Sequence, residues 1–135
     1  RGGVVANRRS AEAELNLGKE DVARKHIESG LVLAKEINDT EGAIQLLGLS
    51  ALVARKSSQL ERSARLYGAF EYLKKDITFR DRFHYDEELV RFIPATRTEL
   101  GEETFTALWE EGQAMSLDEA VKYALREKSN PARPR

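Results

Sequence analysis

A chain of 135 residues is long enough for one domain with a core of its own, so its stability calls for neither disulfides nor metals. There is no cysteine, which excludes disulfides, thiolate metal sites and cysteine nucleophiles and suits a reducing cytoplasm. The net charge of −1 argues against direct nucleic-acid binding, and no apolar run approaches the ~18 residues of a membrane span, so neither partner is expected.

The first predicted helix runs from about Val4 to Leu17 and ends at Gly18, whose missing β-carbon suits a tight turn. The second spans roughly Lys19 to Ile37, with Val22, Ala23, Ile27, Leu31 and Ala34 along one face. Asn38 and Asp39 are good caps for a third helix, Thr40 to about Arg55. Its Ile44, Leu46, Leu47, Leu49, Leu52 and Val53 leave almost no polar face, which places it at the centre of the domain. Ser58 and Glu61 have the spacing of a capping box at the start of a fourth helix, Gln59 to Lys75. Gly48 and Gly68 lie inside these helices at a cost of roughly 1 kcal/mol each, a cost that close approach of another helix would offset.

After a loop through Phe79 to His84, Tyr85, Leu89, Phe92, Ile93 and Leu100 trace a fifth helix that Pro94 must kink or split. Gly101 closes it. A sixth helix carries Phe105, Leu108 and Trp109, and a seventh starts at Ser116, where Glu119 completes a second capping box. Trp109 is expected to be buried against that last helix. The fold expected is all-α, about seven helices, with antiparallel hairpins over 1–77, capping helices over 78–128 and a flexible tail or linker over 129–135. The start without methionine and the Pro-containing tail lead us to expect a fragment of a larger protein.

The first hairpin repeats in the second. Gly18, Ala23 and Ile27 return 40 residues later as Ser58, Ser63 and Tyr67, which suggests stacked helical hairpins; a plain helical bundle is the alternative. The period is longer than the ~34 residues of a standard tetratricopeptide repeat.

Candidates for chemistry are few. His26 and His84 have no acidic or histidine set at ligand spacing, so no metal site is expected, and Ser57, Ser58 and Ser116 read as caps instead of nucleophiles. Adjacent carboxylates such as Glu87/Glu88, Glu102/Glu103, Glu110/Glu111 and Asp118/Glu119 point about 100° apart on a helix, and several fall in first turns where the helix dipole favours them. No catalytic residue, cofactor or enzymatic activity is expected. Residues 1 to 82 carry 15 Lys/Arg against 12 Asp/Glu, and 83 to 135 carry 7 against 11. The basic set Lys74, Lys75, Arg80 and Arg82 is interrupted by Asp76 and Asp81 and reads as solvated surface.

The stretches Gly42 to Leu73 and Phe105 to Leu125, with the LGEETF linker around Gly101, resemble the tetratricopeptide-like region of bacterial regulators that join a nucleotide-binding signalling ATPase to helical repeats, often followed by a LuxR-type helix-turn-helix. The likeness covers roughly residues 18 to 126 and rests on Ala64, Leu66, Gly68, Phe105, Trp109, Gly112, Leu117 and Ala120. It implies a short right-handed solenoid. No phosphate-cradling loop ending in Lys-Ser/Thr is present, so ATP binding is not carried over, and Ser58 and Pro94 depart from the common pattern.

The expectation is therefore a non-catalytic, cytoplasmic interaction or ligand-sensing fragment of a transcriptional or signalling regulator, taking a protein or peptide partner or a small inducer. The alternatives are a structural scaffold or oligomerisation module, and a small-molecule pocket lined by Tyr67, Phe70 and Tyr72. A face of the first helix containing Val4, Val5, Ala11 and Leu15 is expected to be partly uncovered and to drive self-association through the first hairpin. A deep closed cavity would favour the sensor, a broad groove the peptide binder, and a flat apolar face the scaffold.

Overall fold

A computed structural model describes residues 3–77 and 86–125. The expected loop from Phe79 to His84, with Arg80, Asp81, Arg82 and Tyr85, lies outside the described residues, as does the tail from 126 onward. The described residues form seven α-helices and no strand: α1 Val4–Asn16, α2 Glu20–Ile37, α3 Thr40–Lys56, α4 Leu60–Leu73, α5 Asp86–Leu100, α6 Glu102–Gln113 and α7 Leu117–Leu125, with one 3-10 turn over Lys74–Asp76. The all-α class expected from the periodicity is observed.

Three turns of one design fold the first four helices back on each other. Gly18, Asn38 and Ser58 all have left-handed backbone, with φ of 78°, 58° and 63°. The N–H of each donates three residues back, to Leu15, Lys35 and Arg55, and the next N–H donates five back, to Glu14, Ala34 and Ala54, at 2.8 Å in each case. This pattern satisfies the free carbonyls at a helix end and fixes the reversal. The period visible in the chain as 40 residues is thus two steps of 20. The buried small residues Ala23, Ala43 and Ser63 and the buried large residues Ile27, Leu47 and Tyr67 keep the same step.

Ser58 consequently does not cap α4. The cap position is Gln59, with no side-chain hydrogen bond, and the expected Ser58/Glu61 box is absent because Ser58 is spent on the turn. A left-handed serine carries a steric cost that glycine lacks, so Ser58→Gly should stabilise the fold by about 0.4–1 kcal/mol in urea titration. A loss of stability would restore the cap reading. The second box is real. Ser116 N–H donates to Glu119 Oε1 at 2.9 Å and Glu119 N–H to Ser116 Oγ at 3.1 Å. Ser116→Ala should cost about 1 kcal/mol by the same measurement.

Helix α3 is the centre. Every residue from Gly42 to Ala54 is buried, and α1, α2, α4, α5 and α7 all pack on it. Asp39 starts it by accepting the Gly42 N–H at 2.9 Å. Gly48 lies under the ring of Phe70, where an added β-carbon would stand 2.8 Å from Cε1. Helix α4 meets α6 more closely still: a β-carbon on Gly68 would fall on the carbonyl of Trp109, and one on Gly112 on the carbonyl of Arg65. These crossings explain the glycines that helix propensity disfavours.

Helix α6 therefore lies on α4. Trp109 is half-buried, its ring 5.4 Å from that of Phe105 and its backbone against Gly68, so α4 gives the cover expected from the helix after Ser116. Helix α7 instead crosses α2, α3 and α4 and buries Ala120, Val121 and Ala124 in the main core. Pro94 is accommodated within a single α5, where Thr96, fully buried, donates its hydroxyl to the Phe92 carbonyl at 2.9 Å.

Candidate interaction surface

A groove of about 770 Å³ lies between α1 and α2. Ala6, Asn7 and Ser10 line it from α1, and His26, Ser29, Val32, Leu33 and Glu36 from α2 at helical spacing. Two helices joined by the Gly18 turn make its walls, so its width is set by how closely α1 packs on α2. His26 Nδ1 lies 2.7 Å from Glu14 Oε1. A carboxylate only accepts, so Nδ1 carries the proton, and the pair ties the walls together across the hairpin. Glu28 and Glu36 give the groove an acidic edge, and Val32, 45% exposed, offers apolar surface.

A smaller cleft of about 260 Å³ separates the α2–α3 turn from the start of α7, with Ala34, Ala43, Leu117 and Val121 around Lys35, Asn38, Asp39, Thr40 and Asp118. Asp118 spans it, 3.5 Å from Lys35 and 3.4 Å from Lys122. Lys35 first, then Lys122, hold its carboxyl below the usual carboxylate range. A depressed pKa means that this contribution is complete above the unfolded value of about 3.9 and is lost as pH falls through the lower folded value. Asp118→Asn should lower the neutral-pH thermal midpoint slightly, as for an exposed ion pair, and leave the midpoint in strong acid unchanged, so that this part of the acid dependence disappears.

The expected site residues fall elsewhere. Tyr67 and Phe70 are wholly buried in the main core, and only Tyr72, 47% exposed, reaches solvent, with Lys75 over its ring at 4.5 Å. Tyr67 and Phe70 face the core because they share the stripe of α4 that also buries Ser63 and Leu66. Burial raises the pKa of the Tyr67 hydroxyl. The expected uncovered face of α1 is corrected in the same way. Val4, Ala11 and Leu15 point inward and are at most 6% exposed, Val4 against Gly42, leaving Val5 as the exposed member of the set at 45%. Self-association through those three side chains would require opening the hairpin.

The carboxylates serve between helices or at helix starts. Glu99 meets Arg55 at 2.6 Å, Glu111 meets Arg65 at 2.7 Å, and Glu102 and Glu103 occupy the first turn of α6. Arg62 donates to the carbonyls of Tyr123 and Ala124, closing the end of α7. Among the described residues no group of three or more His, Cys, Asp or Glu is placed to hold a metal ion, and no helix is long and apolar enough to cross a membrane.

No protein-family model matches this sequence, and no solved structure matches it significantly. Curated relatives do. The chain is 30% identical over 118 residues, 87% of its length, to "Putative HTH-type transcriptional regulator Rv0890c" of Mycobacterium tuberculosis strain H37Rv. The same identity and coverage hold for the like-named MT0914 of strain CDC 1551 and Mb0914c of Mycobacterium bovis. It spans 13% of the length of these relatives. The chain is thus an all-helical segment related in sequence to part of proteins named as HTH-type transcriptional regulators.

Groove residues other than His26 did not stand out in the sequence. Their signal was comparative: small Ala6 occupies the position that large Leu46 holds 40 residues later.

Proposed function

We propose that this chain is a non-catalytic interaction domain of a larger transcriptional regulator, with the groove between α1 and α2 as its working face. A protein segment held there with different affinity in two states of the regulator would bias one of them. The observation that carries this reading is the open, mixed-polarity groove on a segment related to transcriptional regulators. A broad groove suits a polypeptide better than a small molecule, which is mostly enclosed when bound. The three turns at 20-residue steps support a tetratricopeptide-like arrangement, and a nucleotide-binding module and a LuxR-type helix-turn-helix would lie elsewhere in the parent protein. The 260 Å³ cleft beside Asp118 supports a second reading, a small inducer held between α2, α3 and α7.

The test is transcription from the regulator's target promoter with Ser29→Arg and Val32→Glu introduced together. Both side chains are exposed, so folding and abundance should hold while the response changes. An unchanged response at equal abundance would remove the groove from the regulatory mechanism.

A further inference from the structure

The groove has an internal counterpart, and the counterpart is filled. Shifted by the 40 residues that separate the Gly18 and Ser58 turns, Ala6, Ser10 and Ala13 of α1 fall on Leu46, Ser50 and Val53 of α3. Those three are buried, at 0%, 7% and 3% exposure. Leu46 stands over Gly30 of the first hairpin, and Ser50 and Val53 meet Arg24, Ile27 and Glu28 across a narrow crevice. On α1 the same positions are open: Ala6 and Ala13 are exposed and Ser10 is half-buried. Leu17, the counterpart of Ser57, is 69% exposed, whereas the Ser57 hydroxyl accepts from Arg24 at 3.4 Å.

We propose that Ala6, Ser10, Ala13 and Leu17 seat one more helical hairpin in the same 40-residue register on the N-terminal side of α1. Its second helix lies on α1 as α2 lies on α3. This names the partner of the groove and rests on the interaction reading above. The small residues at 6 and 13 let that helix approach more closely than α2 approaches Leu46 and Val53. The partner is thus an amphipathic helix with a buried stripe like Ala23, Ile27, Gly30 and Ala34, and each stacked interface adds to the stability of its neighbours.

The experiment duplicates residues 1–40 ahead of Arg1, which keeps the 40-residue step, and follows thermal unfolding by circular dichroism. One cooperative transition is expected, with a midpoint about 5 °C above that of the single chain. Ala6→Glu with Ala13→Lys at the original α1 should abolish the gain, with charges chosen to suit the two ends of the helix dipole. The same pair in the single chain should move its midpoint by no more than about 2 °C. Separate transitions, an unchanged midpoint, or equal sensitivity of the single chain would overturn the proposal. Sedimentation of the single chain as a dimer dispersed by the same pair would overturn it too, giving the seat to a second copy. Each of these outcomes concerns the seat alone; the regulatory reading stands or falls on promoter output.

Discussion

Gly112→Ala is expected to cost the fold about 1–3 kcal/mol, although alanine in a helix normally gains roughly 1 kcal/mol over glycine. The reason is the crossing of α4 and α6. An added β-carbon at Gly112 would meet the carbonyl of Arg65 and stand 2.9 Å from the backbone nitrogen of Ala69, so the obstacle is backbone that no rotamer change can move. The helices would have to separate, uncovering Phe105 and Leu108, which with Ala64 form a satellite core between them. Gly112→Val should cost more than Gly112→Ala. Urea titration of both variants settles the matter: an alanine variant more stable than the parent would mean that the crossing is looser than described.

Phe70→Ala should cost about 3–5 kcal/mol, because the ring is fully buried and fills the space over Gly48 that no neighbour can occupy. Tyr72→Ala, two residues on and 47% exposed, should stay within about 0.5 kcal/mol. The contrast separates a packing role from a ligand role. If Phe70 lined a binding site, its removal would be tolerated thermally and felt only in binding.

The central helices were legible because their signal is dense. A run such as Ile44 to Val53, with almost no polar face, has one physical solution, burial on all sides, and α3 adopts it. Ser58 was legible as the counterpart of Gly18 and misleading as a cap. Serine serves at a helix start and, at some cost, in left-handed backbone, and only the φ of 63° decides between them. The middle turn at Asn38 halves the repeat, yet Asn38 reads in the sequence as a cap of the third helix, so the 20-residue step stayed hidden.

The aromatic residues of α4 drew attention as a pocket because they are large and close in sequence, while helical spacing sends Tyr67 and Phe70 inward and Tyr72 outward. The groove stayed hidden for the opposite reason. Its α1 wall is Ala6, Asn7 and Ser10, residues indistinguishable one by one from an ordinary solvated face. Likewise Arg8, only 3% exposed and paired with Glu12 at 3.2 Å, looks like surface in the sequence and is interior in the fold.

The most direct test of the groove as the working face is hydroxyl-radical footprinting of His26 and Leu33, with Tyr72 as the reference, in the isolated chain and in the regulator that contains it. The account predicts that His26 and Leu33 are protected in the regulator while Tyr72 reacts equally in both. Unchanged reactivity of His26 and Leu33 together with protection of Tyr72 would contradict it.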